Sequence, residues 1–224
     1  IQNLDVRLGD TVFVEKGGEI IPKIIGVNLE KRLIPSKPVV FIPNCPECGT
    51  PLIKNAGEAA HFCPNEDHCP PQIKGKLEHF IARKAMNIDS LGEGKIETLF
   101  ETGLVKNVAD FYDLKYDQLF GLSKTIVSSD GITEKTLSFK EKTTQNIING
   151  IESSKNEPFH KVLFALGIRF VGATVAKKLT QHFGNIQSIQ HATFDELIAV
   201  EDIGERIADS VLTWFARPEH LSII

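Results

Sequence analysis

The 224-residue chain has only one methionine, no excess of basic charge and no apolar run that approaches the length of a membrane span. A transmembrane helix needs about 20 apolar residues in succession, and no signal peptide opens the chain, so we expect no membrane partner. Because Met86 is the single methionine, we expect Ile1 not to be a native start and the chain to be an excised fragment.

The lack of basic charge limits how nucleic acid could be bound. Lysine and arginine number 25 against 29 aspartates and glutamates, which gives a net charge of -4. Proteins that bind phosphates through a broad basic face are usually positive. Any nucleic-acid contact therefore has to use local basic patches and backbone N–H groups.

Cysteine is confined to one short window, residues 45–69. Two residues separate Cys45 from Cys48, fourteen separate Cys48 from Cys63, and five separate Cys63 from Cys69. Clustered cysteines in a cytosolic chain favour a metal site over disulfides, and four thiolates suit tetrahedral Zn²⁺. The sequence therefore predicts one zinc ion held by these four cysteines, with disulfide pairing as the alternative.

The predicted zinc site is structural. His61 and His68 lie beside the second cysteine pair and could replace a thiolate, but His68 directly precedes Cys69, and both could hardly bind without strain. Few apolar residues lie between the cysteines, so metal binding has to supply the folding free energy, about 10 kcal/mol in small zinc peptides. With four protein ligands the ion keeps no open position for catalysis.

A four-fold repeat organises the rest of the chain. Its units align on four anchor positions, Gly92, Lys140, Gly172 and Gly204, with spacings of 48, 32 and 32 residues. In every unit the residue before the anchor is apolar, and small or apolar residues recur four and seven positions after it, apart from Thr144. A fixed period indicates one repeated supersecondary unit. The pattern predicts helix, tight turn, helix, which is the helix-hairpin-helix motif, and we number these hairpins one to four.

Such a hairpin is suited to binding phosphate. A turn glycine permits positive φ and a close backbone approach, and the following helix presents unpaired N–H groups at the positive end of its dipole. Contacts of this kind bind the DNA backbone without reading bases. The alternative is a stack of ordinary helical pairs in which glycine ends each first helix. The candidate DNA-binding residues are Arg83, Lys84, Gly92, Gly94, Lys95, Gly167, Arg169, Gly172, Thr174, Gly204 and Arg206.

The sequence predicts a multidomain, mainly α protein with a small β part. Residues 1–40 are expected to form the C-terminal part of an OB-type barrel, residues 41–72 a four-cysteine zinc finger, and residues 73–224 a helix-hairpin-helix domain. The nearly continuous apolar run at Ile20–Val27 indicates a strand buried on both faces. Asp130-Gly131 between β-forming residues predicts a two-stranded finger at about residues 123–138. Lys74, Lys76, Arg83 and Lys84 are expected on one face of a helix, where a solvated basic face is the default interpretation and a phosphate-facing stripe is the alternative.

Together these stretches resemble the bacterial NAD⁺-dependent DNA ligase family. The resemblance lies in residues 9–12, 18–22, 42–49, 79–92 and 165–172 and in the cysteine spacing. It implies an OB-fold, zinc finger and four hairpins from a monomeric, cytoplasmic enzyme that seals nicks in duplex DNA during replication and repair. NAD⁺ and Mg²⁺ serve the whole enzyme, but the family's adenylating Lys-x-Asp-Gly motif is absent here. The resemblance thus implies a DNA-binding fragment with no catalytic residue and no bound NAD⁺.

Two departures from the family pattern concern hairpins one and two. Ser90 and Lys140 stand where glycines are usual, and the insertion before hairpin two is long. We therefore expect hairpins one, three and four to contact DNA and hairpin two to be mainly structural. Two other functions stay open at this point, a zinc-stabilised helical module that binds proteins and a DNA-binding subunit of another repair enzyme.

Overall fold

The described residues form many short helices and two small β-sheets. A computed structural model describes residues 2–17, 21–54, 57–58, 60–127 and 134–224. The chain divides into two compact units, Ile1–Pro64 and Asn65–Ile224. The expected mainly α fold with a small β part is confirmed.

The first unit contains an antiparallel pair of strands, β1 (Val12–Gly17) and β2 (Ile21–Val27), with an irregularity between Phe13 and Val14. Arg32 lies after β2 and fixes the loops around the pair. Its guanidinium donates to both carboxylate oxygens of Asp10, at 2.9 and 2.8 Å, and to Asp5 at 2.8 Å. These hydrogen bonds lower the pKa of the Asp10 carboxyl. A bidentate arginine–carboxylate pair gives a defined geometry, so it orders a segment that has few buried apolar residues.

The expectation that β2 is buried on both faces is wrong. Ile21, Ile24 and Ile25 are 71%, 38% and 51% exposed. In the described part of the chain β2 pairs only with β1, and no layer of side chains covers it. An apolar run predicts burial only where a second layer is present. The run Lys16-Gly17-Gly18-Glu19 predicts a hairpin turn, and this turn lies partly outside the described residues.

The second unit is mainly helical. It contains the helices α1 (Pro70–Ile81), α2 (Glu93–Glu101), α3 (Tyr116–Leu119), α4 (Glu141–Ser154), α5 (Phe159–Ala165), α6 (Ala173–Phe183), α7 (Ile186–Gln190), α8 (Phe194–Ile198), α9 (Glu205–Phe215) and α10 (Pro218–Leu221). Within the described ranges, no helix has both the length and the apolar character that crossing a bilayer requires.

The repeat positions form the cores of this unit. Residues four and seven after each anchor are all fully buried: Ile96 and Leu99, Thr144 and Ile147, Ala176 and Leu179, Ala208 and Val211. Hairpins one and two contribute to one hydrophobic cluster, and hairpins three and four to another. Trp214 and Phe215 are 8% and 5% exposed and belong to the second cluster.

The predicted finger is present as two antiparallel strands, β3 (Ser123–Val127) and β4 (Glu134–Ser138). The predicted Asp130-Gly131 turn and the β-forming pair Ile132-Thr133 lie outside the described residues. Lys124 on β3 makes ion pairs with Glu97 at 3.1 Å and with Glu101 at 2.8 Å on α2. The base of the finger is therefore tied to the second helix of hairpin one.

Helix α1 is shorter than the predicted helical stripe. It ends at Ile81, so Arg83 and Lys84 lie in the following turn and not on the helix. Lys74 pairs with Glu97 at 2.9 Å, and Lys76 pairs with Glu66 at 3.0 Å. The expected continuous basic face on one helix is thus wrong, because two of its lysines are engaged in ion pairs and its other two cations lie beyond the helix end.

Candidate zinc centre and nucleic-acid interface

The four cysteines converge. The sulfur atoms of Cys45, Cys48, Cys63 and Cys69 all lie within 4.8 Å of one another. Tetrahedral zinc with Zn–S bonds of about 2.3 Å places its sulfurs roughly 3.8 Å apart. The Sγ atoms of Cys48 and Cys63 are separated by 3.4 Å, well beyond the length of about 2.05 Å for a disulfide. The donor set therefore fits a structural zinc ion.

Backbone hydrogen bonds orient the first cysteine pair toward the metal site. The amide of Gly49 donates to the carbonyl oxygen of Cys45 at 2.9 Å, and the amide of Cys45 donates to Thr50 at 2.8 Å. Gly49 has φ of +71°, which glycine adopts without steric cost. This tight knuckle turns Cys45 and Cys48 toward one point.

Neither histidine near the second pair belongs to the cysteine cluster. His61 stacks on Phe41 with a centroid distance of 4.9 Å, and the metal-ligand cluster consists of the four cysteines without either histidine. Cys69 directly precedes α1 as its N-cap. Because the positive end of a helix dipole favours a thiolate, this placement suits a zinc ligand.

All four anchors are helix N-caps. Gly92, Lys140, Gly172 and Gly204 directly precede α2, α4, α6 and α9, and none provides a side-chain cap hydrogen bond. The residues before the anchors are Leu91, Phe139, Val171 and Ile203, and the last three of these are buried. The four helices are 9, 14, 11 and 11 residues long. Each therefore has at least about two full turns, and its N-terminus lies at its hairpin.

The expected positive φ does not fall on the anchor glycines. Gly92, Gly172 and Gly204 have φ of -132°, -76° and -86°. The left-handed conformation lies two residues earlier in the same three hairpins, at Ser90 (+69°), Phe170 (+66°) and Asp202 (+65°). In hairpin two the corresponding residue, Ser138, belongs to β4. The tight turn is therefore made by a residue that is not glycine.

No packing contact in the described part of the chain requires glycine at these anchors. A Cβ atom added to Gly92, Gly172 or Gly204 would meet no atom of the described residues beyond its chain neighbours within 4 Å, and all three positions are exposed. Lys140 has the same N-cap conformation with φ of -78°, which shows that a side chain is compatible with the hairpin. The three glycines leave the helix N-termini open to a close approach from outside.

The other predicted DNA-binding residues have varied surroundings. Arg83, Lys84, Arg169, Thr174 and Arg206 are exposed, whereas Gly94 is half-buried. The Lys95 ammonium donates to the backbone carbonyl of Ser90, and burial lowers its pKa. Gly167 follows α5 with φ of +69°, so it ends that helix as a C′ glycine. Lys95 and Gly167 thus both have roles within their own hairpins.

Hairpins three and four are joined by contacts that the sequence did not indicate. Cζ of Arg169 lies 4.8 Å from the ring centroid of Phe170, and Cζ of Arg206 lies 4.1 Å from it. Ser210 on α9 donates to the carbonyl of Arg169 at 2.6 Å. Lys178 on α6 makes ion pairs with Glu201, at 3.1 Å, and with Asp202. The period of 32 residues could have suggested the last two contacts, since Lys178 and Ser210 both lie six positions after an anchor.

Family models match three segments of the chain. Residues 1–36 match the NAD-dependent DNA ligase OB-fold domain, and residues 44–70 match the NAD-dependent DNA ligase C4 zinc finger domain. Residues 161–224, which contain hairpins three and four, match a helix-hairpin-helix motif. The order of these segments agrees with the order of the strand pair, the cysteine cluster and the hairpins.

Whole-chain similarity points to the same family. The chain is similar over its full length to proteins named DNA ligase from Flavobacterium johnsoniae, with 51% identity, and from Phocaeicola vulgatus and Cytophaga hutchinsonii, each with 49% identity. It spans 31%, 32% and 31% of these three relatives, which is about a third of their length. This chain therefore belongs to the NAD-dependent DNA ligase family, of which it represents the OB-fold, four-cysteine zinc finger and helix-hairpin-helix region.

Proposed function

We propose that this chain binds the backbone of nicked duplex DNA for an NAD⁺-dependent DNA ligase. The single observation that carries the proposal is the geometry of Gly92, Gly172 and Gly204. Each directly precedes a helix at an exposed position where an added Cβ atom would meet no atom of the described residues beyond its chain neighbours within 4 Å. Glycines without an internal requirement are explained by an external group that approaches the backbone closely, and helix N-termini favour phosphate.

The charge distribution supports this mode of binding. The chain is acidic overall, but Arg169 and Arg206 lie three residues before and two residues after the third and fourth anchors. Backbone N–H groups and neighbouring arginines bind phosphates irrespective of base sequence. The proposal therefore predicts affinity without sequence preference, through a limited number of phosphate contacts.

The parts of the chain have separate roles in the proposed activity. The whole enzyme would seal a 5′-phosphate to a 3′-hydroxyl and use NAD⁺ as the AMP donor, with Mg²⁺ assisting phosphoryl transfer. The residues proposed here bind and hold the DNA, and none is assigned a chemical step. Cys45, Cys48, Cys63 and Cys69 would hold the zinc ion, which stabilises the fold of its segment.

Alanine at the third and fourth anchors tests the proposal. We expect Gly172→Ala and Gly204→Ala each to weaken binding to a nicked duplex by about tenfold, because the new methyl group lies where a phosphate approaches. Alanine is a poorer N-cap than glycine, but the cost of about 1 kcal/mol leaves a domain of ordinary stability folded. Fluorescence anisotropy with labelled duplexes of two unrelated sequences gives the dissociation constants.

Gly75→Ala is the matched control. Gly75 lies within α1 and also has no atom within 4 Å of an added Cβ, but it belongs to no hairpin turn. We expect this variant to bind DNA as the unchanged chain does. Wild-type affinity in both hairpin variants, or a dissociation constant indifferent to salt between about 50 and 200 mM, would contradict the proposal.

A further inference from the structure

Phe170 occupies an unfavourable backbone conformation in the turn of hairpin three. Its φ of +66° lies in the left-handed region, which bulky residues rarely adopt. Phe170 is 39% exposed, so a large part of its surface is not packed in the core. Strained residues that persist in a fold often mark functional positions. The contacts of the ring therefore indicate what it does there.

The ring brings together two arginines from different hairpins. The Cζ atoms of Arg169, from hairpin three, and Arg206, from hairpin four, lie 4.8 and 4.1 Å from its centroid. An aromatic ring attracts each guanidinium through its quadrupole. A guanidinium over a ring also keeps its planar fork of donors suited to phosphate. Phe170 thus holds two like charges near each other that would otherwise repel.

Polar contacts fix the same two hairpins to each other. Ser210 on α9 donates to the carbonyl of Arg169 at 2.6 Å, and Lys178 on α6 pairs with Glu201 and Asp202. The two contacts are reciprocal. Ser210, six positions after the anchor of hairpin four, contacts the turn of hairpin three, and Lys178, six positions after the anchor of hairpin three, contacts the turn of hairpin four. The turns of hairpins three and four are consequently one structural piece, with Phe170 between their arginines.

We propose that Phe170 is a positioning residue that holds Arg169 and Arg206 together, so that hairpins three and four bind one stretch of DNA backbone as a single unit. The inference rests on the proposed DNA binding. Phe170 acts through the arginines and makes no base contact. The two hairpins should then contribute to affinity as a coupled pair and not as two independent sites.

The test combines three substitutions at Phe170 in the full chain with binding to a nicked duplex. Phe170→Leu keeps an apolar side chain and removes the ring, and we expect about five- to tenfold weaker binding. Phe170→Tyr keeps the ring face and should restore affinity to within about twofold of the unchanged chain. Phe170→Gly removes both the ring and the left-handed strain. If this variant keeps its fold but binds DNA more weakly, the loss of binding comes from lost positioning and not from lost stability.

A matched control and a mutant cycle make the test specific. Phe120 is another exposed phenylalanine and stacks on Tyr116 at 5.7 Å, so Phe120→Leu should leave affinity unchanged. In a chain that carries both Arg169→Ala and Arg206→Ala, Phe170→Leu should have no further effect, because its influence passes through the arginines. In a salt series, the slope of log affinity against log salt concentration should be smaller in magnitude for the double arginine variant than for the unchanged chain.

The outcomes are distinct. If the unchanged chain does not bind duplex DNA, the proposed function fails and this inference fails with it. If the unchanged chain binds but Phe170→Leu binds equally well, or Phe170→Tyr is as weak as Phe170→Leu, only the positioning role is overturned. The positioning role is also overturned if Phe170→Leu weakens binding just as much in the chain that carries Arg169→Ala and Arg206→Ala. In that case the ring itself contacts DNA.

Discussion

At the residue scale, three hairpins share a left-handed residue two positions before the anchor glycine. Ser90, Phe170 and Asp202 have φ between +65° and +69°, although glycine is the residue that adopts this conformation most readily. Aspartate tolerates it better than a bulky or β-branched residue does. Each turn therefore stores a small backbone strain that the surrounding packing and hydrogen bonds hold in place.

Substitution at Ser90 should show this strain directly. We expect Ser90→Gly to raise the free energy of unfolding by up to about 1 kcal/mol, since the left-handed cost is removed while some chain entropy is lost. Ser90→Val should lower it by about 2 kcal/mol, because a β-branched residue fits this region poorly. Urea unfolding followed by circular dichroism measures both, and equal stabilities of the two variants would contradict the account.

His220 is a buried histidine whose titration should affect stability. It is 6% exposed, and its Nδ1 lies 2.9 Å from the Trp214 carbonyl. A carbonyl only accepts, so Nδ1 carries the proton and Nε2 is left with no hydrogen-bond partner among the described residues. Burial lowers the pKa of His220, Arg217 and Lys76 act in the same direction, and the hydrogen bond to the Trp214 carbonyl and the charge of Asp67 oppose the shift. The folded state therefore favours neutral His220.

The sign of the pH effect follows from that lowered pKa. Below pH about 6.5 the unfolded chain protonates this histidine while the folded chain does not, so stability should fall as the pH decreases toward the folded pKa. His220→Asn removes this contribution, and its stability should depend less on pH between about 7 and 5 than that of the unchanged chain. Parallel urea titrations across this range measure the difference, and identical slopes would refute it.

At the element scale, the repeat fixes which side of each helix faces the core. Positions four and seven after the anchors are buried in all four hairpins, including Thr144, whose hydroxyl donates to the carbonyl of Phe139 at 3.4 Å. One turn of an α-helix brings such positions to the same face. The packing of α2, α4, α6 and α9 is thus the part of the fold that the sequence specifies most directly.

Truncation at a repeat position should be costly. Leu179 is fully buried in the cluster that also contains Trp214, and Leu179→Ala should lower the free energy of unfolding by about 2–5 kcal/mol through lost burial and a cavity. The fluorescence of Trp214, which is the single tryptophan, reports the transition. Leu221→Ala, at a position that is 37% exposed, is the control and should cost much less.

Much of this architecture follows from periodicity and spacing, and the remainder depends on contacts that neither of them encodes. The anchors, the buried repeat positions and the cysteine cluster were predictable, because each is a local pattern with one physical solution. The ring of Phe170 between two arginines joins residues 36 positions apart and has no local signature. The exposure of β2 was missed because an apolar run carries no information about whether another layer covers it.

At the scale of the whole molecule, metal and core stabilise different parts of the chain. Among the residues that the structure describes, those of the first unit include few buried apolar side chains, whereas those of the second unit form two hydrophobic clusters. The cysteine segment is short and rich in loops, so metal binding has to supply what its core does not. Stability should accordingly depend on zinc locally and on packing elsewhere.

Metal removal tests this division. A strong chelator should release about one zinc ion per chain and unfold the cysteine segment, while most of the helical circular dichroism of residues 65–224 persists. Cys48→Ser should lower the zinc content of the purified chain in the same way, because it removes one of four thiolate ligands. Complete loss of the helical signal after chelation would show that the hairpins depend on the metal.

The open space beside Gly92, Gly172 and Gly204 has a consequence for inherited variation in this protein. On the proposed function, alleles that place a small side chain at these positions should yield protein of normal abundance whose association with chromosomal DNA is weakened. Genetic screens for separation-of-function alleles should therefore recover changes at these glycines, whereas changes at the buried leucines should be recovered as unstable protein.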